Sequence, residues 1–594
     1  MSTEKKLFPL AHIVFPDADF MEVPDLFYHV GEASARLGDG RLLECRTLSF
    51  DTWMNLFAAK KWYSYCDLGR LFLKLQVKGS FRLQVTGHEF MAAFGVVDRV
   101  LLSQFQEGEE LREVLVELPP VEEYAGISFR LDFPQGEDYA LGEMCWCTDA
   151  PPKRENRMAV VTCTFRRERY VRKTVRKFRE FMEEDGRKSS FHLFVVDNGR
   201  TLEESLGSDC VTVIPNKNAG GAGGFCRGLM EANDRGFTHC LFMDDDVEIF
   251  PESFFRTLAI TDYFKEAYRT CSVNGPMMNL YDKMELFENL AAYDGAMGFL
   301  TCRGPLRMDS VGKVLESIDL PGELFREGFL HSAWWYTCCS LERYKDEYPV
   351  PVFFRCDDVE WSWRKQGMDI VSMNGICLWH APFQWRTGKL ADCYYWPRNT
   401  LLICMIHQEG KNQGIFEYLR ERFSYLLDIL DYVGAEVFLA SLTEFMKGHR
   451  IFMEDPEEQM QRVRAMCGKA VIRKSVDYVE LEKAGKRQVK AKDKETGISL
   501  DWYPPARDFK GKSRVEVYNL SGATCETRKR DDARAERLEK EFRMLLHVLA
   551  LQYESLRQDM RKGYRIFCTR EFWDGYLGIS RNSQETGGSR EYGR

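Results

Sequence analysis

The chain has 594 residues, of which 44% are hydrophobic and 29% charged, with a formal net charge of −9. That length is too great for one hydrophobic core and implies about two to four domains, while the acidic balance gives no reason to expect nucleic acid as the main partner and leaves local basic patches open. The 19 cysteines are scattered or adjacent, as in Cys145/Cys147 and Cys338/Cys339, without the Cys-x-x-Cys spacing of a zinc module, so they read as reduced, buried, small hydrophobes.

The first residues, Met1 to Lys6, lead into a segment broken by Pro9, Pro16 and Asp17 and lack the apolar core of a signal peptide. No charge-free apolar run reaches membrane-spanning length, so a cytoplasmic location is expected, with peripheral contact at the inner face of a membrane left open. Within residues 1–150 the runs Phe72–Val77, Phe81–Val85 and Ile127–Phe133 alternate apolar with polar side chains, the period of half-buried antiparallel strands. Gly79-Ser80 and Gly87-His88 punctuate them, and a β-sandwich is expected.

Pro151-Pro152 marks a boundary, after which strands alternate with helices over residues 151–400. Strand Met158–Thr164 precedes a helix with Val171, Val175, Phe178 and Met182 on one face. Strands Phe191–Val196 and Val211–Ile214 end in Asp197-Asn198-Gly199 and Pro215-Asn216, the arrangement of an α/β sheet that gathers ligand groups at its strand ends. Residues 401–594 read as mostly helical. Phe416, Leu419, Phe423, Leu426, Leu427 and Leu430 form one apolar face, and Leu538, Phe542, Leu545, Leu549 and Leu556 another. Between them, residues 470–515 are rich in Lys and read as a solvated charged segment.

Four motifs carry chemistry. Asn218 to Gly224 is a glycine-rich turn opening a helix, either a plain tight turn or a loop offering backbone N–H groups to an anion. The apolar strand Cys240–Met243 runs into Asp244-Asp245-Asp246, where the first and third carboxylates share one side and can grip a hard divalent cation. Asp245 competes as a ligand, and an acidic turn capping the next helix is the alternative. Asp357-Asp358 follows an aromatic run and precedes a helix with Trp361, Trp363 and Arg364; the pair either begins that helix or supplies a general base, since adjacent acids push one pKa up. Finally, Ile370 to His380 reads as one strand whose terminal His380 can complete a metal site begun by two Asp.

In this order, together with Thr162 to Arg167, Val195 to Gly199 and Trp334-Trp335, these motifs resemble galactofuranosyltransferases of glycosyltransferase family two, most closely the polymerising type that builds cell-wall galactan. The resemblance implies a GT-A nucleotide-sugar transferase domain preceded by an N-terminal β-sandwich and followed by a helical C-terminal region. It implies that Asp244, Asp246 and His380 bind Mn²⁺ or Mg²⁺ and that Asp358 is the catalytic base. Arg167, Asp197, Asn218, Asp244 and Asp245 would contact the UDP-sugar donor, and Trp334, Trp335 and Asp357 the acceptor. Cys356 stands where many relatives place Trp before the paired acids.

From the residues alone, Trp334-Trp335 serves equally as a sugar platform or as core packing. The function implied is inverting transfer of galactofuranose to a glycan or lipid-linked glycan in cell-surface polysaccharide synthesis. Transfer of another sugar, such as rhamnose or galactopyranose, and a non-catalytic carbohydrate-binding role are the competing readings. Homo-oligomerisation is left open.

Overall fold

The structure is a computed structural model describing residues 6–36, 42–136, 138–184, 188–294, 299–320, 328–364, 370–382, 388–408, 413–468, 496–499, 506, 509–519 and 524–579. The alternating N-terminal runs form β1 (Phe8–His12), β2 (His29–Arg36), β3 (Leu42–Ser49), β4 (Leu71–Lys78), β5 (Phe81–Met91), β6 (Gly95–Gln106), β7 (Arg112–Glu117), β8 (Gly126–Pro134) and β9 (Ala140–Thr148). They pair into two antiparallel sheets, ordered β1-β9-β4-β7 and β2-β3-β8-β5-β6. Leu73, Leu75 and Val77 of β4 and Phe81, Leu83 and Val85 of β5 are buried, whereas the intervening Lys74, Gln76, Arg82 and Gln84 are half-buried, as a period of two requires.

The next part contains β10 (Met158–Thr164), β11 (Phe191–Asp197), β12 (Val211–Pro215), β13 (His239–Asp244), β14 (Glu248–Ile249), β15 (Ser272–Asn274), β16 (Met277–Asn279), β17 (Glu285–Asp294), β18 (Phe299–Arg303), β19 (Leu306–Arg307), β20 (Gly328–His331), β21 (Tyr336–Ser340), β22 (Ile370–Ser372) and β23 (Leu378–His380). The central sheet has the order β12-β11-β10-β13-β21-β15-β22. Strands β10 to β13 are mutually parallel where they pair, and β21 runs against both of its neighbours. Their register aligns Thr164 with Asp197 and Cys163 with Asp244, so the acidic strand ends share one edge. The helix Glu168–Glu184 covers one side, with Val171, Val175, Phe178 and Met182 buried.

One expectation is corrected. Residues 370–380 are not one strand but two in different sheets, β22 beside β15 and β23 between β14 and β16. The chain turns at Gly375, whose φ of 70° favours glycine and whose position leaves no room for a Cβ against Arg256 Nη1. The neighbouring Asn374 Nδ2 donates to Trp53 O at 2.9 Å and Leu56 O at 2.7 Å, which ties this turn to the connection that follows β3. The core of the N-terminal sheets is continuous with that of the central sheet, since Leu75, Leu131 and Trp146 belong to the same apolar cluster as Val160, Leu241 and Trp379.

The C-terminal part packs the helices Trp396–His407, Gln413–Asp428, Tyr432–Phe445, Pro456–Met466 and Asp532–Phe567 around a second core containing Leu401, Leu419, Phe423, Phe438 and Phe542. It also holds a small sheet of β24 (Thr496–Ser499), β25 (Arg514–Asn519) and β26 (Thr524–Lys529), which periodicity did not reveal. Most of the Lys-rich segment 470–515 lies outside the described residues. The last helix, Arg570–Leu577, returns to the central sheet, where Trp573 and Leu577 join Val161 and Phe225. No helix among the described residues is long and apolar enough to cross a membrane.

Candidate active site

Strand β13 delivers Asp244 to the sheet edge, and β23, paired with β14 and β16, brings His380 to meet it. One ligand atom each from Asp244, Asp246 and His380 lies within 4.8 Å of the others. His380 Nε2 is 3.4 Å from Asp244 Oδ2 and 3.5 Å from Asp246 Oδ1. His380 and Asp246 are buried, whereas the Asp244 side chain is 36% exposed, so the group opens on one side. The His380 Nδ1–H donates to Ala381 O at 2.6 Å, leaving the Nε2 lone pair facing two carboxylates. Three lone-pair donors turned towards one point repel unless a cation joins them, and two carboxylate oxygens with one imidazole make a donor set that can hold a divalent metal ion.

Asp245 points elsewhere. Arg167 Nη1 donates to Asp245 Oδ1 at 3.0 Å and to Asp246 Oδ2, so Asp246 offers one oxygen to each side. Burial works against the charge on Arg167, but Asp245 and Asp246 more than offset it and raise the guanidinium pKa. Burial, only partly countered by Arg167, raises the Asp245 carboxyl.

Asp357 and Asp358 open the helix Asp357–Trp363. Phe353, Arg355 and Cys356, just before them, hold left-handed φ angles of 71°, 70° and 67°. Burial and then the charge of Asp358 push the Asp357 carboxyl up, with a further contribution from Asp244. Asp358 behaves oppositely. Burial would raise it, but the His331 ring, with Nε2 3.1 Å from Asp358 Oδ2, more than offsets this and holds it below the ordinary carboxylate range. Its side chain is 22% exposed and so remains reachable by a substrate.

The acid groups share a neighbourhood: burial and then Asp245, Asp244, Asp357 and Asp197 together drive the Cys163 thiol well up. The glycine turn closes the arrangement. Gly220 begins its helix with φ 71°, and the Ala222 N–H donates to Phe353 O at 3.1 Å. A Cβ on Gly221 would lie 3.4 Å from Asp357 Oδ2.

Other predicted residues are engaged within the fold. Asp197 accepts from the backbone N–H groups of Gly199, Thr201 and Leu202 at 3.0, 2.7 and 2.8 Å, so it shapes its own loop. Asn218 Oδ1 accepts from Gly220 N at 3.2 Å, and its own N–H donates to Glu457. Trp334 is buried among Phe225, Phe242 and Trp361. Trp335 is also buried and donates from Nε1 to Gly275 O at 3.0 Å. Two polar residues at the site escaped the sequence reading. His331 lies just ahead of Trp334-Trp335 but carries no pattern of its own, and Asn399 lies in a helix more than forty residues past the acids it supports, a separation of 44 from Arg355. Asn198, of the Asp197-Asn198-Gly199 strand end, ties β11 to the glycine turn by donating from Nδ2 to Gly220 O at 2.9 Å.

Residues 159–264 match the family model described as glycosyl transferase family 2. The chain carries a family 2 glycosyltransferase domain. Its enzyme class is glycosyltransferase, its fold at that domain is GT-A α/β, and its substrates are a nucleotide-sugar donor and a glycan acceptor. The transferase is 25% identical over 446 residues to a galactofuranosyltransferase, GlfT2, of Mycolicibacterium smegmatis, covering 70% of this chain and 67% of that one. It is 24% identical over 457 residues to the galactofuranosyltransferase GlfT2 of Mycobacterium tuberculosis, covering 72% and 69%.

Proposed function

We propose that the transferase is a metal-dependent, inverting galactofuranosyltransferase that moves galactofuranose from UDP-galactofuranose to a glycan acceptor in cell-surface polysaccharide synthesis. The observation that carries this reading is the convergence of Asp244, Asp246 and His380 beside the Asp357-Asp358 pair, in a chain similar to galactofuranosyltransferases. Asp244, Asp246 and His380 would hold Mn²⁺ or Mg²⁺, which when bound supplies positive charge opposite the departing diphosphate. Arg167 stands at the rim of that pocket through Asp245 and Asp246, suited to a phosphate oxygen.

Asp358, deprotonated at neutral pH, would accept the proton of the attacking acceptor hydroxyl, with His331 orienting it. Attack from the face opposite the leaving group, with one base and no covalent intermediate, inverts the anomeric centre. Asp357, with its raised pKa, can donate a hydrogen bond to an acceptor hydroxyl while Asp358 takes a proton. We read residues 1–150 as a β-sandwich, 151–400 as the transferase domain and 401–594 as a mostly helical domain.

The test is turnover of UDP-galactofuranose with a galactan acceptor, against a panel of UDP-galactopyranose and rhamnose donors. UDP release from the furanose donor alone, abolished in Asp358→Asn, is the expected result. Equal use of a pyranose donor, or full activity in Asp358→Asn, would overturn it.

A further inference from the structure

The segment before the acid pair is held in a backbone state its residues do not favour. Phe353, Arg355 and Cys356 have φ angles of 71°, 70° and 67°, and none is glycine. Left-handed residues at this density persist only where neighbours over-determine them. Here a single buried amide supplies much of that constraint: Asn399 Nδ2 lies 3.1 Å from Val352 O, 3.0 Å from Phe354 O and 2.8 Å from Arg355 O. Asn399 is fully buried on the helix Trp396–His407, and its own oxygen accepts from Arg398 Nε at 2.9 Å. Arg398 is buried too, donating to Val352 O at 2.9 Å and to Gln459 Oε1 at 2.7 Å.

This clamp acts at one place. The carbonyls it gathers belong to the bent segment that launches the helix bearing Asp357 and Asp358, whereas Asp244, Asp246 and His380 are set by β13 and β23. On the other flank, the Ala222 N–H of the glycine turn donates to Phe353 O at 3.1 Å, while Arg355 reaches Asp392 Oδ1 at 3.4 Å and Cys356 Sγ lies 3.8 Å from Thr400 Oγ1.

We propose that Asn399 is a positioning residue for sugar transfer: its amide fixes the left-handed segment 353–356 so that the acid pair begins its helix facing the cleft. The inference rests on the reading of Asp358 as the base. Asn399→Ala removes the amide's bonds to Phe354 O and Arg355 O and leaves Val352 O to Arg398, and Asn399→Ser keeps one short donor in a milder lesion. Ångström-scale displacement of a base affects the chemical step more than the binding of a ligand fixed elsewhere.

Both variants are assayed with UDP-galactofuranose and a galactan acceptor, alongside calorimetric binding of UDP with Mn²⁺ and a thermal melt. The expected result is a kcat reduced about tenfold or more in Asn399→Ala and by less in Asn399→Ser, with UDP affinity and donor KM within about threefold of wild type. Folded variants with wild-type kcat would overturn the proposal. So would kcat and UDP affinity falling together, or loss of folding in both variants, because the residue would then serve the structure at large. Asp358→Asn in the same assay separates the two ideas. If it stays active, the base reading fails and takes this one with it; if it is inactive while Asn399→Ala is not, this one fails alone.

Discussion

His331 Nε2 stands 3.1 Å from Asp358 Oδ2, although His331 ends a strand paired with β17 and Asp358 begins a helix in another part of the chain. Burial raises the Asp358 carboxyl, and the facing ring overrides that effect, with Arg355 adding to it. A base works in its deprotonated form, so a lowered pKa keeps Asp358 ready well below neutral pH. In His331→Ala burial is left with less opposition and the Asp358 pKa rises. The acid limb of kcat/KM should therefore move to higher pH, and activity at neutral pH should fall by about tenfold or more. Asp357, Arg355 and the raised carboxyl of Glu288 also face this cluster, so the profile is best compared with His331→Gln, which keeps a polar side chain in place of the imidazole. An acid limb unmoved by His331→Ala would refute the pairing as a determinant of the base.

The cation pocket makes a sharper division among three consecutive acids. Asp244 and Asp246 face His380, whereas Asp245 faces Arg167. Asp246→Asn and His380→Ala should each weaken Mn²⁺ binding by about 10–100-fold and lose activity that excess Mn²⁺ partly restores. Asp245→Asn should leave the Mn²⁺ affinity within a few fold while weakening UDP binding through a displaced Arg167. Manganese titration followed by electron paramagnetic resonance distinguishes the outcomes; equal losses in all three variants would contradict this geometry.

The strand ends were legible because each of Asp197, Asp244 and His380 closes an apolar run; the parallel register carries Asp197 and Asp244 to one edge of the central sheet, and His380 meets Asp244 from the end of β23 in a second sheet. The helical face through Val171, Val175, Phe178 and Met182 was legible for the same reason, a periodic burial signal. What stayed hidden depends on pairing across distance. In Ile370–His380 the Asn374-Gly375 dipeptide is a turn signal that breaks the run, but the partners that draw its two halves into different sheets, β15 on one side and β14 and β16 on the other, are supplied by tertiary folding. Trp334-Trp335 reads equally as platform or packing, because the rings around Trp334, those of Phe225, Phe242 and Trp361, come from distant parts of the chain. His331 and Asn399 carry no local pattern, since their partners are supplied by tertiary folding.

The join between the transferase part and the C-terminal helices should be sensitive to acid. Buried Glu360 is paired with Arg364 at 2.6 Å and His407 at 2.9 Å. Burial alone would raise its carboxyl, but these partners outweigh it and bring it from 4.5 down to about 2. A depressed folded-state pKa contributes stability that is complete above the unfolded value and is lost as pH falls through the folded one. The window is therefore pH 4.5 to 2, and the contribution is about 3 kcal/mol. Acid unfolding followed by tryptophan fluorescence should show a transition in that window which is flattened in Glu360→Gln. The substitution should also cost about 3 kcal/mol or more at pH 7, because Arg364 is left buried with a weaker partner. A transition of the same depth in Glu360→Gln would assign the acid sensitivity elsewhere.

The glycine turn and the acid-bearing segment touch through one position, and that contact yields the last expected outcome. Gly220 has φ 71°, and a Cβ placed on it would fall 2.0 Å from Phe353 O, an approach to backbone that no side-chain motion relieves. Gly220→Ala must therefore either leave the left-handed state or push residue 353 away, and residue 353 leads directly into the clamped segment before Asp357. The backbone penalty alone is about 1 kcal/mol, and the clash adds to it. Because the same turn carries Asn218 and presents the start of the helix Gly220–Asp234, both donor binding and the acid pair should suffer: KM for the UDP-sugar should rise and kcat fall by about tenfold each. By contrast, Gly236→Ala, whose φ of 67° is also left-handed but whose surroundings hold nothing within 4 Å, should lose a similar backbone term with little change in either constant. Steady-state kinetics of the two variants at matched stability isolates the contact; equal kinetics would show that the turn and the acid segment are not mechanically joined.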